Sequence, residues 1–161
     1  MDEILNIDTS STTAFLLSSI PLLMRGLQVT ISAALLGFVI AVTLGLVFAI
    51  LMRSKTRFVR WPLGVFLEFV RDTPLLIQLF FIYYVLPAYG IIAPAFLTGA
   101  IAIGVQYSAY MAEVYRAGID AIEKGQWEAS VALNLSRRRT YRDIIIPQVV
   151  PRIIPATGNY L

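Results

Sequence analysis

Two stretches of this 161-residue chain longer than about 20 residues, the length of one membrane crossing, carry no Asp, Glu, Lys or Arg. They are residues 26–52, between Arg25 and Arg53, and residues 73–112, between Asp72 and Glu113. A helix needs about 20 apolar residues to cross the hydrocarbon core of a bilayer. The first stretch therefore reads as one crossing. The second is too long for one, and Pro87, Gly90 and Pro94 interrupt its middle. It reads as two helices joined by an uncharged turn. Composition agrees: 58% of residues are hydrophobic and 14% charged, against about 25% charged in soluble domains. Cys and His both number 0, which excludes disulfide frameworks, thiolate metal sites and His-dependent hydrolases.

The charges that remain orient the spans. Residues 1–25 hold one basic residue, Arg25, and begin Met1-Asp2-Glu3, unlike the basic start of a secretory signal. A short entry helix is expected near 12–24, ahead of the first span. Residues 53–60 hold four basic residues and no acid, the 87–94 turn holds none, and 116–143 hold six. Basic loops stay cytoplasmic, so the N-terminus and the 87–94 turn are expected outside, with 53–60 and 119–143 inside.

Four spans follow, at about 27–52, 62–86, 95–118 and 144–161, within one transmembrane domain. In the first, Ala33, Gly37, Ala41, Gly45 and Ala49 recur every four residues, and such stripes let helices approach closely in lipid. Ala100, Gly104, Ser108 and Ala112 repeat the device in the third. The second span cannot avoid Glu68, Arg71 and Asp72. Arg71 is expected about 15 Å inside, at about 1.5 Å per residue. Ionisable groups at that depth face a partner or a water-filled cavity. Two roles fit: an internal Glu68–Arg71 pair, or residues lining a transport path. Pro74 frees the carbonyl of Val70 and predicts a kink. Gln106, Tyr110 and Glu113 form a polar stripe on the third span, with Arg116 three residues on. With Arg71, Thr73 and Gln78 they make the candidate path or gate. In the fourth span, Pro147, Pro151 and Pro155 stand four apart, and the end at Leu161 predicts a chain truncated at its C-terminus.

Between the third and fourth spans, 125–136 reads as a short helix ending or bending at Asn134, with Val131, Ala132, Leu133 and Leu135 apolar. Glu128 is expected near its start, where the helix dipole favours a carboxylate. An apolar face on a cytoplasmic loop implies a partner.

Glu128-Ala129-Ser130, three residues, Asn134, nine residues and Ile144-Ile145-Ile146-Pro147 resemble the loop of ABC importer permeases: Glu-Ala-Ala, three residues, Gly, nine residues, Ile-x-Leu-Pro. Ser130, Asn134 and Ile146 depart from that pattern. Asn is the non-glycine residue best suited to a left-handed conformation. Arg71-Asp72-Thr73-Pro74-Leu75-Leu76, Ala109-Tyr110-Met111-Ala112-Glu113 with Arg116, and Gly125-Gln126-Trp127-Glu128-Ala129 resemble the polar amino acid branch, the histidine, glutamine and arginine permeases.

That resemblance implies an all-α type I permease bundle with a five-helix core, of which this chain covers the first three to four. It implies a bacterial inner-membrane subunit paired with a second permease, docked on an ATP-binding subunit dimer, and fed by an extracytoplasmic solute-binding protein. The coupling residues would be Gly125, Gln126, Glu128, Ala129, Ser130, Ala132, Asn134, Ile144 and Pro147. No phosphate-binding loop is present, so the chain is expected to bind no cofactor and not to be an enzyme. ATP and Mg would be used by the partner. Polar amino acids or small zwitterions of the ectoine type are the expected cargo, and membrane lipid, not nucleic acid, the surroundings. An ion-coupled carrier or channel subunit is the alternative.

Overall fold

Ser11 opens the first helix by accepting a hydrogen bond from the Ala14 N–H at 3.1 Å. From there α1 runs unbroken over Thr12–Met52, 41 residues, in a computed structural model that describes residues 11–160. The acidic start at Met1–Glu3 and the terminal Leu161 lie outside the described residues. The separate entry helix and the 27–52 span are thus one element. Pro21 sits inside it; one missing N–H does not stop a helix that goes on through Leu22, Leu23 and Met24. At about 1.5 Å per residue α1 is about 60 Å long, roughly twice a hydrocarbon core.

The small-residue stripes meet each other. Gly37, Ala41, Gly45 and Ala49 of α1 are buried, as are Ala100, Gly104, Ser108 and Ala112 of α4, Ala95–Asp120. The approach is close enough to need glycine. A Cβ at Gly104 would lie 2.5 Å from Ile40 Cγ2, and one at Gly37 would lie 2.7 Å from Ile103 Cγ2. The two helices run parallel, and an Arg53–Asp120 ion pair at 2.9 Å joins their ends. The loops after α1 and after α4 therefore lie at the same end of the molecule.

Between them the chain goes out and back. Helix α2 spans Arg57–Asp72, beginning before Pro62 and ending well short of Leu86. Where a kink was expected, the helix breaks: Thr73 and Pro74 are both extended, with ψ of 122° and 136°. Proline clashes with a helical conformation of the residue before it. Helix α3, Leu75–Phe80, continues through a wide turn at Phe81–Val85 and a tight one at Leu86–Tyr89. Gly90 ends the run at φ 81°, a left-handed conformation open to glycine. Leu67 and Val70 of α2 pack on Ala109 and Ala112 of α4, with Phe48 and Met52 of α1 closing over them.

After α4 come α5, Lys124–Ala132, the short α6, Arg137–Arg139, and α7, Ile146–Gly158. Helical backbone resumes at Arg137, ahead of the expected Ile144, and passes through a wide turn at Thr140–Ile145. Pro147 stands in the first turn of α7, and Pro151 and Pro155 lie inside it. Arg152, in the fourth span, donates to the Ala121 carbonyl at 2.7 Å. That satisfies a carbonyl at the exposed end of α4. All regular elements among the described residues are helical, as the all-α reading requires.

Candidate functional site

Asn134 has φ 51°, the one positive value at a non-glycine residue among those described. It ends α5 with a Schellman turn: Leu135 N–H bonds the Ser130 carbonyl at 3.0 Å, and Asn134 N–H bonds the Val131 carbonyl at 2.9 Å. Asparagine stands here where the importer loops carry glycine, in the backbone state that glycine serves.

The helix is held from one side. The Trp127 ring packs edge-on to Tyr141 at 5.4 Å, on a cluster of Ile122, Ile145 and Val149. Ser130 is buried beneath and donates to the Trp127 carbonyl at 2.7 Å. Gln148 Nε2 bonds the Ile144 carbonyl at 2.9 Å and Gln126 Oε1 at 3.3 Å, tying the start of the loop to the Ile144–Pro147 segment. Ile144 is half-buried, and Pro147 is exposed. The opposite side is bare: Gly125, Glu128, Ala129 and Ala132 are exposed, and Val131 and Leu133 are 77% and 70% exposed.

Two details differ from expectation. Leu135 lies beyond the turn and is half-buried, so it is not on the free face with Val131. Glu128 stands in the second turn, because α5 starts at Lys124 with Glu123 at its cap position and no side-chain cap bond there. Glu128 is exposed there.

A second cluster forms where α2 breaks. Arg71 pairs with Glu113 at 3.2 Å, and Glu113 also holds Arg116 at 3.0 Å. Of the two roles weighed for these charges, the Glu68–Arg71 pair does not form: Glu68 is exposed, and Arg71 reaches across to Glu113 of α4. Tyr110 donates to the Arg71 carbonyl at 3.4 Å, and the Thr73 hydroxyl donates to the Phe69 carbonyl at 2.7 Å. Gln78 Nε2 bonds the Val70 carbonyl at 2.9 Å and the Thr73 carbonyl at 3.1 Å, and also Gln106 Oε1. Val70 is the residue whose carbonyl Pro74 leaves without its usual donor. One side-chain amide therefore seals the break and latches it to α4.

All six expected path residues, Arg71, Thr73, Gln78, Gln106, Tyr110 and Glu113, thus gather around one helix break. Sequence reasoning missed the partner of Arg71, the anchoring by Trp127, and Tyr160. That last ring stacks on Tyr110 at 5.9 Å and lies 5.7 Å from Tyr107. A signal for Gln78 was present: a glutamine four residues past a helix-breaking proline.

Comparison with known proteins supplies the family. Residues 41–161 match the binding-protein-dependent transport system inner membrane component. The chain is 59% identical over 148 residues to a probable amino-acid ABC transporter permease protein, y4tG, of Sinorhizobium fredii, covering 92% of this chain and 64% of that one. It is 36% identical over 139 residues to the L-cystine transport system permease protein TcyB of Bacillus subtilis, covering 86% and 59%. It thus spans less than two thirds of the length of these relatives. A crystal structure of an amino acid ABC transporter with histidines superposes with a TM-score of 0.85 at 36% identity, covering 94% of this chain and 71% of that one. The inward-facing MetNI methionine ABC transporter shares the fold, with a TM-score of 0.64 at 19% identity. The chain belongs to the family of binding-protein-dependent transport system inner membrane components.

Proposed function

We propose that the chain forms the membrane permease portion of an ATP-binding-cassette importer for polar amino acids or related small zwitterions. The observation that carries this is α5: an exposed helix, pinned by Trp127 and stopped by left-handed Asn134, with its small and apolar residues turned outward. A surface of that kind suits a cleft on a separate ATP-binding subunit. Gly125, Gln126, Glu128, Ala129, Ser130, Ala132, Asn134, Ile144 and Pro147 are the coupling set. ATP and Mg belong to the partner dimer. A second permease subunit and an extracytoplasmic binding protein complete the importer. The Arg71–Glu113 cluster is the candidate path, since charged groups within spanning helices face a cavity or a partner. Relatives named for cystine, glutamine and arginine support a polar amino acid over an ectoine-type solute.

The test is uptake of labelled glutamine, arginine or cystine into vesicles holding the full-length permease, its ATPase and its binding protein. ATP-dependent uptake is expected. Uptake driven by an ion gradient without ATP would instead establish the carrier reading, which the family match does not favour.

The N-terminus is proposed to lie outside. In this Cys-free chain, single cysteines at Ser54, Tyr89 and Ser136 report the topology. An impermeant thiol reagent applied to intact cells is expected to label position 89 alone. Labelling at 54 or 136 would reverse the orientation.

A further inference from the structure

We propose that the end of the molecule where α1 turns into α2 holds a site for one anionic phospholipid. Its phosphate sits among Arg57, Arg60 and Arg116, and an acyl chain lies against Phe58 and Trp61. The proposal rests on the membrane location of the chain and on neither its cargo nor its orientation.

Two neighbouring cavities have complementary character. One, of about 630 Å³, is lined by Arg57, Arg60 and Arg116, with Glu68 and Trp61 on its wall. The other, of about 430 Å³, is lined by Phe58, Trp61 and Pro62 and shares Arg57 with the first. A charged chamber beside an aromatic one fits a molecule with an anionic head and an apolar tail.

Depth agrees. From Ala95 to Arg116, α4 rises about 32 Å at about 1.5 Å per residue, close to one hydrocarbon thickness. Counted from Ala95, Arg116 therefore stands about one hydrocarbon thickness along α4. Gly64 is level with the end of α1, since a Cβ there would lie 3.7 Å from Met52 Cε. Arg60 and Arg57 stand one and two turns nearer the start of α2. Phe58 is 91% and Trp61 68% exposed, and aromatic rings at that level are ordinary membrane anchors.

Charge selects the ligand. Arg116 is held by Glu113 at 3.0 Å. Among the described residues neither Arg57 nor Arg60 has a carboxylate within 4.0 Å. Glu68 is the carboxylate on the charged wall, so the two guanidiniums without a carboxylate partner, beside the Glu113-paired Arg116, outnumber it and an anion is favoured. A zwitterionic lipid would bring its own ammonium against them. A free phosphate would leave the aromatic chamber empty.

The experiment is native mass spectrometry of the full chain in detergent, titrated with phosphatidylglycerol or phosphatidylcholine. One phosphatidylglycerol is expected to be retained with about tenfold preference, given the attraction each basic residue adds near an anionic lipid. Arg57→Gln with Arg60→Gln should abolish the preference. Glu68→Gln should raise it, a gain that misfolding cannot mimic. Millimolar inorganic phosphate should leave the lipid bound. Equal retention of the two lipids by the unaltered chain would overturn the proposal. So would displacement by phosphate, which marks a free-anion site, or an unaltered preference in the double variant. Vesicle uptake is read separately, so failure here leaves the importer reading standing.

Discussion

Replacing Ala129 with arginine is expected to release the ATP-binding subunits from a permease that still folds and inserts. Ala129 is exposed on α5, and the contacts that hold the helix come from Trp127, Ser130 and the Asn134 turn on its other side. A long charged side chain there disturbs nothing within the chain. In a closed joint it removes the space for close approach and buries a charge without a partner, at a cost of about 3–5 kcal/mol. That is a loss of about two to nearly four orders of magnitude in affinity. The measurement is co-purification of the ATPase with full-length permease, followed by substrate-stimulated hydrolysis in liposomes with the binding protein. Undiminished retention and stimulation would show that α5 is not the coupling element.

Glu113→Gln is expected to cost more than Arg71→Gln, because Glu113 alone holds two guanidiniums. Its pairs with Arg71 and Arg116 are 3.2 and 3.0 Å long. Removing the carboxylate strands both arginines between helices, whereas removing Arg71 leaves Glu113 with Arg116. These side chains are 27% to 41% exposed, so the cost falls between that of a surface pair and that of a buried one. About 2 kcal/mol for Glu113→Gln and about 1 kcal/mol for Arg71→Gln are reasonable. Thermal unfolding of the purified complex in detergent gives the ranking, and uptake kinetics give the role. An assembled Arg71→Gln complex with altered rate or selectivity supports the path reading. Normal assembly and normal kinetics would sink both a structural and a path role for Arg71.

Some of this was readable in advance because it depends on composition and period alone. A stretch without charges needs no tertiary information to be apolar. A small residue at every fourth position marks a close-packing face whatever it packs against, and the stripes of α1 and α4 are those faces. Asn134 was legible for a local reason: its tolerance of positive φ is a property of its own side chain. Element ends were less so. A separate entry helix was expected at 12–24 and a kink at Pro74; α1 instead runs unbroken through Pro21, and the chain breaks at Thr73–Pro74. Steric preference before a proline is about the same in both places. The difference lies in what replaces the lost backbone bonds, and after Pro74 an amide from Gln78 satisfies the open carbonyls.

The sequence by itself determined the charge-free stretches, the small-residue faces of α1 and α4 and the left-handed turn at Asn134, because each follows from residue type and interval. Only the tertiary structure decided which partner each charge takes. Glu68 is three residues from Arg71 and Glu113 is forty-two, yet the ion pair forms with Glu113. Leu67 and Val70 pack against α4, and that packing sets which way the neighbouring Arg71 faces. It also decided which side of α5 is free, since the Trp127 anchor depends on Tyr141 and on the Ile145–Val149 surface arriving from beyond the loop. Partner choice of this kind is a matter of distance in space, which sequence separation does not encode.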